Sequence, residues 1–155
     1  MDEQKWNFIS KEYTQLLKDL PGDAASKWGK MNGQQMVEHV AAFFEVSAGK
    51  IKFDLVTPVE HLPKYKEFLL SDKEFRENTK AHTSVISEEA QPLRYENMPE
   101  ALENLQQSIT AFEDYFLGDK LKTTLHPVFG ELNFEEWVLL HYKHVTHHLR
   151  QFGLM

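Results

Sequence analysis

The chain has 155 residues, 41% of them apolar, no cysteine and a formal charge of −7, which suits one domain over residues 1–155 with a core of its own. Without cysteine there is no disulfide and no thiol nucleophile, so any metal would be held through nitrogen and oxygen. The acidic balance, with Lys and Arg dispersed, argues against nucleic acid or an anionic membrane surface as the main partner, and the lack of a long apolar run or a secretory h-region predicts a cytoplasmic protein with no membrane span.

A first helix is predicted over residues 3–20, where Trp6, Ile9, Tyr13, Leu16, Leu17 and Leu20 recur in steps of three and four. Pro21, Gly22 and Asp23 end it. The loop AASKWGKM leads to Asn32 and Gln35, whose N-x-x-Q spacing is related to a capping box. The second helix then covers residues 33–48, with Met36, Val40, Phe43, Phe44 and Ser47 inward and Gly49 placed to end it.

Residues 50–97 are irregular and interrupted by Pro58, Pro63 and Pro92. KYKEFLLSD (64–72) suggests one short helix, and TSVISEEAQPLRY (83–95), which has no helical period, is expected to lie extended. No low-complexity linker occurs, so the stretch reads as an elaborated crossover. A third helix is predicted over residues 99–118, with Leu102, Leu105, Ile109, Phe112 and Phe116 forming nearly a heptad seam. DKLKTTLHPVFGEL connects to a fourth helix over 134–152, opened by Asn133 with Glu136 and followed by Gly153. The expected fold class is all-α: a four-helix bundle with a long irregular crossover between helices two and three.

Histidine is unevenly placed. Five of the eight, His126, His141, His144, His147 and His148, fall in the last thirty residues. At about 100° per residue, with Trp137 at zero, His144 and His148 lie about 20° to either side. His141 falls near 40° and Gln151 near −40°, on the same apolar face, while His147 points about 80° away. Residues four apart stack on successive turns, so His144 and His148 can present imidazole nitrogens to one ion. His39, at the border of the inner face of helix two, could reach across to them. Three neutral imidazoles would leave coordination positions open, the pattern of a catalytic rather than a closed structural site. Burying several unpaired rings costs about 1–3 kcal/mol each, and ligation would give all of them one partner. The competing reading is a set of exposed histidines on a loosely packed helix face.

Two pieces, MNGQQMVEHV on the second helix and HVTHHLRQF near the C-terminus, resemble the DinB/YfiT-like superfamily and its H-x-x-H-H-x-x-Q pattern. The resemblance implies a DinB-like bundle whose three metal ligands fall on His39, His144 and His148, with Gln151 as a supporting residue. His147 is then the adjacent non-ligand. His141 is an extra inner-face histidine: a fourth ligand, a general base that shuttles a proton, or a core residue, with the non-ligand roles favoured. His126, beside Pro127, reads as a loop-shaping residue near the site mouth, and Trp28 as a packing anchor.

The resemblance further implies a metal-dependent enzyme using zinc or nickel, with iron or manganese allowed. The expected activity is transfer of a low-molecular-weight thiol to a small electrophile. Metal-assisted hydrolysis and a non-catalytic metal-binding or structural module stand as alternatives, and a homodimer is an open option. There is no G-x-S-x-G elbow, P-loop or G-x-G-x-x-G.

Overall fold

The computed structural model describes residues 2–77 and 90–155. It is mostly helical, with one short antiparallel hairpin. In chain order it contains α1 (Glu3–Asn7), a π-helical turn (Phe8–Glu12), α2 (Tyr13–Leu17) and α3 (Gly33–Ser47). Next come a 3-10 turn (Val59–His61), α4 (Leu62–Leu70), α5 (Met98–Phe116), β1 (Thr124–His126), β2 (Gly130–Leu132) and α6 (Phe134–Gln151). Among the described residues no helix is long and apolar enough to cross a membrane.

Capping starts the two helices that matter most. Asn32 accepts from the Gln35 amide while the Gln35 side chain accepts from the Asn32 amide, closing a capping box on α3. Asn133 and Glu136 do the same for α6. Each box satisfies donors that a helix end leaves unpaired. Asn97 caps α5 through the Glu100 amide, and Pro99 occupies its first turn, where a missing N–H costs nothing.

The N-terminal stripe departs from a regular period. Ser10 Oγ bonds back to the Trp6 carbonyl at 2.8 Å, inside the stretch where the helix widens into the π turn. The wider turn rotates the residues after it, so Ile9, Tyr13 and Leu17 are buried but Leu16, expected inward, is 41% exposed. The regular helix also ends at Leu17, short of Leu20.

The core joins these elements. Tyr13, Phe44, Phe112, Phe116, Phe134 and Trp137 are among its largest fully buried side chains. Phe112 stacks on Phe134 at 5.2 Å, and the edge of Trp6 meets both. α3 lies along α5, while α6 contacts α1, α3 and α4. Lys66 of α4 pairs with Glu136 of α6, and Lys143 Nζ donates to the carbonyls of Ser71 and Lys73 beyond the C-terminal end of α4.

The all-α expectation needs one correction. The connector before α6 contains the pair β1–β2, in the register Thr124↔Leu132 and His126↔Gly130. Three-residue strands are too short for a period of two to show in sequence. His126 Nδ1 closes the turn by accepting from the amides of Val128 (3.0 Å) and Phe129 (3.1 Å), and Gly130 takes φ +83°, open to glycine. Thr124 then fastens the hairpin: it receives the Trp137 indole N–H at 2.7 Å and donates to the Ser47 carbonyl at 2.9 Å. The short helix expected over 64–72 appears as α4. Of the stretch expected to lie extended, residues 83–89 fall outside the described residues, and 90–95 are irregular.

Candidate metal centre

α3 and α6 bring together three imidazoles from distant parts of the chain. His39 Nε2 lies 3.1 Å from His144 Nε2, and His144 Nε2 lies 3.0 Å from His148 Nε2. One ligand atom from each of the three falls within 4.8 Å of the others, and all three residues are buried. Two nitrogens at about 2.0–2.1 Å from one ion, at roughly 90–110°, stand about 2.8–3.4 Å apart, so the spacing suits a shared ion. The exposed, loosely packed histidine face does not describe this cluster.

The tautomer of His148 is set by its neighbours. The Trp28 carbonyl accepts from Gln151 Nε2 at 2.8 Å, which orients the amide. Gln151 Oε1 is thereby turned to His148 Nδ1 at 2.6 Å and accepts its proton. In the neutral ring, His148 Nε2 is then the lone-pair nitrogen, and it lies beside His144 Nε2. Gly29 makes room for this chain: its φ is +80°, and a Cβ there would stand 2.9 Å from Gln151 Nε2.

His144 sits between the other two. Burial, then the neighbouring His148, His39, His141 and His147, hold its pKa well below the usual imidazole value, so it is neutral at pH 7. Its Nδ1 is buried without a hydrogen-bond partner. Its Nε2 faces two other nitrogens at hydrogen-bond distance, one of which is already an acceptor. Three imidazole nitrogens converging at this spacing can all give their lone pairs to one cation. The residues therefore fit a divalent ion.

The other sequence-derived candidates lie around this group. His141 is 1% exposed, stacked between Phe44 (3.9 Å) and Trp137 (5.3 Å). Ser47 Oγ donates to the Phe44 carbonyl, so it accepts from His141 Nε2 at 2.9 Å. Burial, then His126, holds the His141 pKa well below its usual value. These are the contacts of a neutral, packed imidazole, and His141 is not one of the three clustered histidines. His147 is buried against Trp28 (5.5 Å) and Phe75 (5.9 Å). His126 is pushed down to about 3 by burial, in keeping with its acceptor role in the turn. Phe43 bridges the parts, 4.6 Å from His144, 5.1 Å from His39 and 6.0 Å from His126.

A cavity of about 310 Å³ opens on His39, walled by Met31, Gln35, Glu38, Ala42 and Arg94 among others. A larger one of about 500 Å³, between α4 and the hairpin, includes Tyr65, Phe68 and Phe129 but no member of the triad. The sequence gives no sign of the smaller cavity. It depends on Glu38, which accepts from the amides of Arg94 (2.7 Å) and Tyr95 (3.4 Å) and from Gln34 Nε2 (3.0 Å). Nothing local in the chain signals a contact across that separation.

No curated protein and no solved structure matches the chain. The DinB/YfiT-like resemblance is overturned, because the family match over nearly the whole chain is a different one. Its two motifs constrain few positions, and paired histidines one helical turn apart recur wherever a helix faces a metal. Residues 10–155 match the family described as "Protein of unknown function (DUF1569)", and the chain belongs to that family.

Proposed function

We propose that this protein is a divalent-metal enzyme acting on a small molecule, with His39, His144 and His148 as the ligands. The supporting observation is the convergence of three buried Nε2 atoms, 3.0–3.1 Å apart in two of the pairs, beside a cavity that His39 itself lines. A ligand set with only three protein donors leaves a position for a non-protein molecule. We read the long helices as a bundle that holds this site between α3 and α6. Imidazole-only ligation favours zinc or nickel over iron or manganese.

A bound ion of this kind acidifies a coordinated water or thiol and polarises an electrophile. The chain's own residues then divide the work. His148 is oriented as a lone-pair donor by Gln151, His144 stays neutral through burial, and Phe43 packs against the rings of His39 and His144. The nucleophile is water or a small thiol.

The test is elemental analysis by mass spectrometry of untagged wild-type protein beside a His144→Ala/His148→Ala variant. Near-stoichiometric metal in the wild type and its loss from a still-helical variant is the expected result. Wild type that stays metal-free after zinc and nickel are both supplied would refute the proposal.

A further inference from the structure

We propose that the cavity beside His39 is the substrate pocket of this centre, and that Arg94 selects substrates bearing a carboxylate. The inference rests on the metal reading above and adds the chemical class of the substrate.

Arg94 is tied to the cavity wall through its backbone. Its backbone amide donates to Glu38 Oε1 at 2.7 Å, and Glu38 immediately precedes the ligand His39 on α3. Glu38 spends its oxygens on N–H donors from Arg94, Tyr95 and Gln34, and is 7% exposed. Its contact with the Arg94 guanidinium is the loosest of the set, Nε to Oε1 at 4.0 Å. The carboxylate therefore anchors the Arg94 backbone more than it neutralises the side chain. Among the described residues, the two terminal nitrogens of the guanidinium meet no carboxylate within ion-pair distance. The Arg94 side chain is 49% exposed, borders the cavity and lies over the Tyr95 ring at 5.8 Å, a cation–π contact that consumes no N–H donor, so its planar fork can still meet a ligand. That fork matches a carboxylate in a two-bond geometry.

The rest of the wall narrows the class. Met31 and Ala42 offer apolar surface, and Gln35 a polar edge. A volume of about 310 Å³ is at the small end of ligand pockets. The chain as a whole carries a charge of −7, which repels anions, so an anionic substrate would depend on a local cation for its place. The geometry thus describes a small organic acid: one end on Arg94, an apolar body against Met31 and Ala42, and a donor atom directed to the ion beside His39.

Cobalt-substituted protein tests this without an activity assay. Cobalt uptake is read first from its visible absorption bands. The protein is then titrated with mercaptoacetate, 3-mercaptopropionate and 4-mercaptobutyrate, each beside the alcohol of the same chain length, by monitoring the thiolate-to-cobalt band. At least one acid is expected to bind about tenfold tighter than its alcohol, the value of one charge-assisted contact. In Arg94→Gln the preference is expected to vanish while the alcohol's affinity holds. Equal affinities for every pair in the wild type, or a preference retained in Arg94→Gln, would overturn the substrate assignment and leave the metal centre standing. Absence of cobalt bands would remove both.

Discussion

The chain from Trp28 through Gln151 to His148 is the most consequential arrangement of single residues in the molecule. It favours one tautomer, and a ring with its proton on Nε2 cannot ligate through that nitrogen. Gln151→Leu removes the acceptor at His148 Nδ1 and is expected to weaken zinc binding about 10- to 100-fold, measured by competition with a chromophoric chelator. Gly29→Ala is expected to weaken it too, through a Cβ placed 2.9 Å from Gln151 Nε2 on a backbone at φ +80°. Unchanged affinity in both would show that the chain does not tune the site. His126 yields a prediction of a different kind. Its folded pKa is pushed down to about 3 by burial, against about 6.5 in the unfolded chain. Below pH 6.5 the unfolded state takes up a proton that the folded state refuses, so this contribution to stability is intact above 6.5. It is lost as pH falls toward 3, with a slope of about 1.4 kcal/mol per unit. His126→Asn keeps an acceptor for the Val128 and Phe129 amides but cannot titrate. Urea unfolding of metal-free protein between pH 7.5 and 4.5 is expected to show a shallower loss in that variant than in the wild type.

Among the elements, α3 and α6 carry the three clustered histidines, and both begin with a reciprocal capping box. Asn133→Ala is expected to lower stability by about 1 kcal/mol in urea without changing metal stoichiometry, because the ligands lie more than two turns from that end. These helices were legible because capping and amphipathic period are local: Asn32 with Gln35, Asn133 with Glu136, and His144 with His148 are all visible within about one turn. The illegible features came from elsewhere in the chain. The β1–β2 hairpin is held by Trp137 and Ser47 rather than by any strand pattern of its own. The π turn that exposes Leu16 breaks the period on which the inward assignment relied. Glu38 meets Arg94 across 56 residues, so the cavity wall is a tertiary product. The ligand trio was half local: two members share a helix, but the place of His39 on the border of its face needed the packing of α3 against α6 to bring it in.

At the scale of the whole molecule, a metal bound at the proposed site would be a cross-link. His39 and His144 are 105 residues apart, so an ion held between them ties α3 to the C-terminal helix across the entire crossover. The unfolded chain cannot hold three imidazoles in this geometry without closing that long loop, so binding favours the folded state. With free zinc at a hundred times its dissociation constant, the folded state gains about 2.7 kcal/mol. For a chain of this length that corresponds to a rise in melting temperature of roughly 5–11 °C. The rise is expected when zinc is added to chelator-stripped wild-type protein, and it should grow with the logarithm of free zinc. His39→Ala removes the α3 end of the cross-link while leaving the His144–His148 pair on α6, so it separates bridging from simple ligation. If the ion stabilises by joining the two helices, most of the rise disappears in His39→Ala even where residual zinc is bound. A full rise in that variant would mean that the stabilisation arises within α6 alone, and the bridge would have to be abandoned.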